Sequence, residues 1–358
     1  MLQKAQRPLV CLHYGIGDVV MQLPVLEALR AHIPHAAITL LGAQPAIELF
    51  DDDRRWQSVQ SVQAFGLRHW GDVGDDGTRA AVGSWIEQGG FDLILDVSHA
   101  VLAIKEAIWS CHRNILDTGE YLPANGLDGV QAIKQSVGLK WGLPVPVHSQ
   151  PHLDLANGRL QFADNYLRRH LNGKPAVAIS ALSSSPLKRW PLDRLDATAV
   201  ALCSRFDLPL MIFNGPQTDA AFQVAAGPAH PTIMVGPLHL LDTAALLTRC
   251  AILICNDTGL MHLAAAVGTP VVAVFGPTAE SIYLPPPPFC RGVSSTVTCP
   301  HRQTDIFGPS PCLVQNCCLI SQNSCIESIG VSTVLETAVD LLEQASKGVF
   351  HKSIGEPV

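Results

Sequence analysis

The stretch "NDTGLMHLAA" (Asn256–Ala265) follows the apolar run "AILIC" (251–255) and precedes "AVGTPVVAVFGPT" (266–278). A short, wholly apolar run is what a strand covered on both faces looks like in a parallel sheet. It opens into Asn256, Asp257 and Thr258, and helical spacing starts at Gly259. The free amides and positive dipole end of a helix start can hold an anion. Gly259 leaves the backbone open to close approach. His262 lies three residues after Gly259 and four after Thr258, on the same side of the first turn. Ligands of parallel α/β sheets collect beyond the carboxyl ends of the strands. Asp257, Thr258, Gly259 and His262 are thus candidate binding residues, although a lone helix histidine also serves as a satisfied packing residue.

Working outward, the same grammar recurs. "PAVAIS" (175–180) and "LPLMIF" (208–213) read as strands. Between them lies the loop "ALSSSPLKRWP" (181–191), then an amphipathic helix from Pro191 with Leu192, Leu195, Ala199, Leu202 and Phe206. In that loop Ser184, Ser185 and Lys188 suit a diphosphate, which accepts hydrogen bonds and charge. An ordinary exposed loop is the alternative. "TAALLTRC" (243–250) reads as a helix, "VVAVF" (271–275) as the last clear strand, and "VSTVLETAVDLLEQA" (331–345) as the closing helix. The turn Asn214–Asp219 precedes a helix near 220–226, with Asp219 a cap or a ribose contact.

The N-terminal part repeats the pattern. "PLVCLHY" (8–14), "AAITLLG" (36–42) and "FDLILDV" (91–97) are strands, and Gly15-Ile16-Gly17-Asp18 leads into a helix. Pro24 should interrupt that helix, so its regular part is expected to begin near residue 24. Gly15 and Gly17 permit a tight turn. Val20 occupies the third glycine position of a dinucleotide fingerprint, which argues against a nicotinamide enzyme. Asp18 is either a helix N-cap or a general base for an acceptor hydroxyl. The proline-rich segment 143–152 is the natural linker. The expectation is α/β, with Rossmann-like domains at 1–152 and 153–358 facing across a cleft, the second ending in a Cys-rich tail (290–325) and closing helix.

At 358 residues, with 47% hydrophobic and 15% charged residues, the chain can bury two cores. The net charge is -7, and residues 1–170 hold 14 Lys+Arg against 18 Asp+Glu, so no basic stripe for nucleic acid is present. No apolar segment approaches the roughly 20 residues of a membrane span, and the N-terminus lacks a signal-peptide pattern. A cytoplasmic protein, at most peripheral to the inner face of the inner membrane, is expected.

Three segments, taken in order, resemble glycosyltransferase family 9, the bacterial heptosyltransferase family: "GIGDVVMQLPVLEALRAHIPHAAITLLG", "SSSPLKRWP" and "NDTGLMHLAAAVGTPVVAVFGPT". The resemblance implies a GT-B fold and inverting transfer of a sugar, usually from ADP-heptose, to a saccharide, glycolipid or protein acceptor in lipopolysaccharide or related glycan synthesis. It makes Asp18 the base and Lys188 the partner of the departing diphosphate, with Ser184 and Ser185 nearby. Asp257, Thr258, Gly259 and His262 would bind the donor, and no cofactor would be required. A non-catalytic nucleotide-sugar-binding relative is the competing reading. The chain departs from the family in having Ser180-Ala181-Leu182 before the serines, where a Pro-Gly-Ala-like turn is common, and in offering only Gln217 or Asp219 for an acidic residue of the third loop.

Six of eleven cysteines fall between Cys290 and Cys325. No CxxC pair is present, as a zinc ribbon needs. Reduced thiols packing the tail are expected. The alternative is Zn or Fe on four of Cys299, Cys312, Cys317, Cys318 and Cys325, and some members of the resembled family carry cysteine-ligated iron.

Overall fold

A computed structural model describes residues 1–12, 15–67, 74–96, 102–111, 114–117, 138, 140–145, 149–214, 230–286, 288–303, 310–320 and 324–347. The chain divides into two compact units, Met1–Pro151 and His152–Val358.

In the first unit the described strands are β1 (Pro8–Cys11), β2 (Thr39–Gly42), β3 (Ser58–Ser61), β4 (Leu93–Asp96) and β5 (Ile115–Asp117). All pair in parallel, in the order β3-β2-β1-β4-β5. Helices α1 (Ile16–His32), α2 (Asp76–Gly89) and α3 (Leu102–Cys111) accompany them. Leu9, Leu41 and Ile94 of the sheet pack with Val82 and Ile86 of α2 and with Ile104 and Ile108 of α3. Strand order reverses between β1 and β4, so the loop holding Gly15 and Asp18 leaves the sheet at a switch point.

Helix α1 corrects one expectation. It starts at Ile16 and runs through Pro24 without a break. Pro24 has no N–H for the carbonyl four residues back, at a cost of about 3 kcal/mol. Val19, Val20 and Leu23 before it, and Val25, Leu26 and Leu29 after it, are all buried, and that packing outweighs the penalty.

The second unit contains β6 (Ala176–Ser180), β7 (Leu210–Phe213), β8 (Thr232–Val235), β9 (Cys250–Asn256), β10 (Val271–Phe275) and β11 (Cys290–Ser294). Its helices are α4 (Asn157–Leu171), α5 (Leu192–Phe206), α6 (Leu240–Leu247), α7 (Gly259–Ala266), α8 (Glu280–Tyr283), α9 (Pro311–Gln315) and α10 (Val331–Ser346). The sheet order is β11-β10-β9-β6-β7-β8, again parallel throughout. The chain moves outward from β6 to β8, then returns to lay β9 against the other side of β6. Here the switch point lies between the ends of β6 and β9.

"VVAVF" is not the last strand. Cys290–Ser294 pairs with the whole of β10, Val271 opposite Cys290 through Phe275 opposite Ser294. Its sequence, "CRGVS", has no apolar run because an edge strand is held largely by backbone bonds. Gln217, Asp219 and the helix expected near 220–226 lie outside the described residues, as does part of the 143–152 linker. Among the described residues no helix is long and apolar enough to cross a membrane.

Ile254, fully buried on β9, sits between Ile179 of β6 and Val272 of β10, in a core shared with Trp190, α5 and α10. Ile254→Ala should cost about 2–5 kcal/mol. Urea unfolding followed by tryptophan fluorescence measures this, and a loss under about 1 kcal/mol would contradict the packing described.

Candidate functional site

The carboxyl ends of β6 and β9 deliver two loops to the switch point of the second unit. From β6 comes Ala181–Trp190, from β9 comes Asp257–Thr258, and α7 begins at once. Lys188 Nζ lies 2.7 Å from Asp257 Oδ2, with the two side chains 15% and 7% exposed. At this distance the ammonium and the carboxylate form a charge-assisted contact. A carboxylate has lone pairs beyond the one that faces the ammonium.

The Lys188 loop is shaped by its own serines. Ser183 Oγ accepts from the Ser185 amide at 3.4 Å, and Ser185 Oγ accepts from the Leu187 amide at 3.3 Å. Ser185 thereby caps the 3-10 turn Pro186–Lys188. Capping uses one lone pair and leaves the hydroxyl its donor role. Ser184 is exposed at the turn before it.

Asn256, the last residue of β9, ties this loop down. It is 1% exposed. Its Oδ1 accepts from the Trp190 amide at 2.9 Å, and its Nδ2 donates to the carbonyls of Ala181 at 3.0 Å and Leu182 at 3.4 Å. The Trp190 indole N–H in turn donates to the Ile329 carbonyl at 3.0 Å. Gly276, just after β10, closes the packing: a Cβ there would lie 3.2 Å from the Leu187 carbonyl oxygen and 2.9 Å from Ile326 Cβ. The sequence reading takes Asn256 only as part of a polar turn. The missed signal is an amide at a strand end, directly before the charged residue.

Thr258 is the N-cap residue of α7, in an extended conformation and with no side-chain cap bond. Its Oγ1 is buried and has no hydrogen-bond partner among the described residues. The first amides of α7 thus receive no bond from their N-cap side chain. His262, 5% exposed, falls within the buried run from Met261 to Ala264, so it contributes to the packing of α7 whatever else it does.

In the first unit Gly15 is the N-cap of α1 and Asp18 lies in the first turn, so Asp18 is not the cap residue. A Cβ at Gly15 would crowd the Asp18 carboxylate, so glycine lets that side chain lie back over the turn, and a larger residue would push it aside. Gly17 is buried. A carboxylate in the first turn is favoured by the helix dipole.

Cys299, Cys312, Cys318 and Cys325 line one cavity of about 240 Å³, bounded also by Leu187 and Pro277. Cys317 is exposed. Burial pushes the Cys325 thiol up, Arg302 opposing. Among the described residues no three His, Cys, Asp or Glu side chains converge as a ligand set.

Because Lys188 and Asp257 are both largely enclosed, Lys188→Ala should destabilise the protein by about 3–5 kcal/mol, mainly by leaving a carboxylate unpaired. The paired replacement of Lys188 by Met and Asp257 by Leu should cost clearly less than the two single changes together. Chemical denaturation of the four proteins decides this; additive losses would mean that the two groups do not interact.

Comparison with known proteins follows the same lines. The lipopolysaccharide heptosyltransferase 2 of Escherichia coli K12 is 25% identical over 150 residues, covering 40% of this chain and 42% of that protein. The matched segments span less than half the length of each of the curated relatives considered. A glycosyl transferase family 9 structure from Veillonella parvula superposes with a TM-score of 0.75 at 19% identity, over 95% of this chain and 98% of that one. The E. coli ADP-heptose lps heptosyltransferase II gives 0.68 at 17% identity, over 95% and 100%. These structures speak for the fold, which is the two-unit α/β class called GT-B. The sequence profile of glycosyltransferase family 9 (heptosyltransferase) matches residues 126–305, half of the chain, and the protein belongs to that family.

Proposed function

We propose that the protein is an inverting heptosyltransferase that moves a heptose from a nucleotide-diphosphate sugar such as ADP-heptose to a saccharide acceptor in lipopolysaccharide or a related surface glycan. The observation that carries this reading is the Lys188–Asp257 pair at the β6/β9 switch point, beside the uncapped start of α7, in a chain of this family.

Attack on the anomeric carbon builds positive character there and negative charge on the departing diphosphate. Preorganised donors on the leaving-group side lower that barrier. Lys188 supplies charge, and the first amides of α7, the Thr258 hydroxyl and the serine hydroxyls supply hydrogen bonds. Asp257 and His262 complete the donor side. Asp18 takes the proton of the attacking acceptor hydroxyl. Gly15 and Gly17 let that carboxylate fold over the turn. The relatives' lipopolysaccharide and lipooligosaccharide names favour a glycan over a protein acceptor.

Thermal shift of purified protein with ADP-, GDP-, UDP- and dTDP-sugars tests the donor. A ligand at about 100 times its Kd adds about 2.7 kcal/mol to the folded state. ADP-heptose should raise Tm most, and no response to any nucleotide sugar would remove the reading. Asp18→Asn should lower kcat by about 10²–10⁴ while leaving donor stabilisation intact. Unchanged transfer by that variant would end the assignment of Asp18 as base.

A further inference from the structure

We propose that Asn256 is a positioning residue for the leaving-group side of the reaction: it fixes the loop that carries Lys188, and through it the place of the ammonium against a bound diphosphate. This rests on the donor reading above.

The argument is one of hydrogen-bond topology. The Asn256 carboxamide donates to the loop where it leaves β6, at Ala181 and Leu182, and accepts from it where it ends, at Trp190. A single enclosed side chain thus pins both ends of a ten-residue span. Lys188 sits two residues before the Trp190 anchor, and its charge partner Asp257 directly follows Asn256. One strand terminus therefore sets both the loop and the charge facing it. A carboxamide is required because the two ends make opposite demands, a donor for carbonyls and an acceptor for an amide. Aspartate has the same shape, but it would set a carboxylate against two carbonyl oxygens and lose the donor half.

A lysine on a released loop keeps its charge. It must then give up more loop and rotamer freedom when it meets a phosphate, so affinity falls although nothing that touches the ligand has changed.

The test is a double-mutant cycle on ADP affinity, by calorimetry, with wild type, Asn256→Asp, Lys188→Ala and the double variant. Asn256→Asp should weaken ADP about tenfold in the wild-type background and less than about twofold once Lys188 is gone, the mark of coupled residues. Equal affinities for wild type and Asn256→Asp, or losses that add in the double variant, would overturn the proposal while leaving the donor reading intact. If Lys188→Ala binds ADP as wild type does, or if wild type binds no nucleoside diphosphate, the donor reading fails and the proposal with it. Asn256→Ser, too short to reach both loop ends, replaces Asn256→Asp where the latter does not fold, with the same non-additivity expected.

Discussion

A parallel sheet that reverses its strand order cannot fill the space above the reversal with its own crossovers. In the second unit the strand pair beside that space is β6 and β9, and the candidate donor site comes from the two loops released there and from the start of α7, which follows the second. The sheet supplies the position and the loops supply the chemistry. That division explains why the strands are almost unbrokenly apolar while Ser183, Ser185, Lys188, Asp257 and Thr258 crowd into two short segments at their ends. The first unit repeats the device between β1 and β4, with Asp18 in the first turn of the helix that follows β1.

The electrostatics of the site follow from enclosure. Lys188 and Asp257 leave water together, and a buried charge is tolerable only when compensated. In the proposed reaction the lysine is therefore never a bare cation waiting for phosphate. An arriving diphosphate shares an ammonium already engaged by a carboxylate, and the amides at the start of α7 make up the difference without adding a net charge. Such a site holds its lysine in place before the ligand comes, and that limits the reorganisation left for the chemical step.

Much of this was legible from residues alone. "AILIC" and "VVAVF" announce buried parallel strands, and glycine after three polar residues announces the helix start, because those patterns are fixed by local geometry. The helix from Ile16 was harder. Proline marks a break by its missing N–H, and only the packing on both sides of Pro24, invisible in the string, overrides it. β11 was missed for the opposite reason, since an edge strand needs no apolar alternation. The site residues Lys188 and Asp257 could be nominated from sequence, but their pairing depends on two strands 70 residues apart being neighbours. Asn256 shows the same limit: its partners at Ala181, Leu182 and Trp190 are adjacent only once β6 lies beside β9.

The absent side chain at Gly276 has a wider meaning. Leu187 of the lysine loop and Ile326 of the C-terminal segment approach the same backbone point from two sides, while Ile329 receives the indole proton of Trp190. The C-terminal segment thus packs against both ends of the 3-10 turn that carries Lys188 and is no appendage. A change in the tail at Ile326 or Ile329 is therefore transmitted to the backbone that carries Lys188.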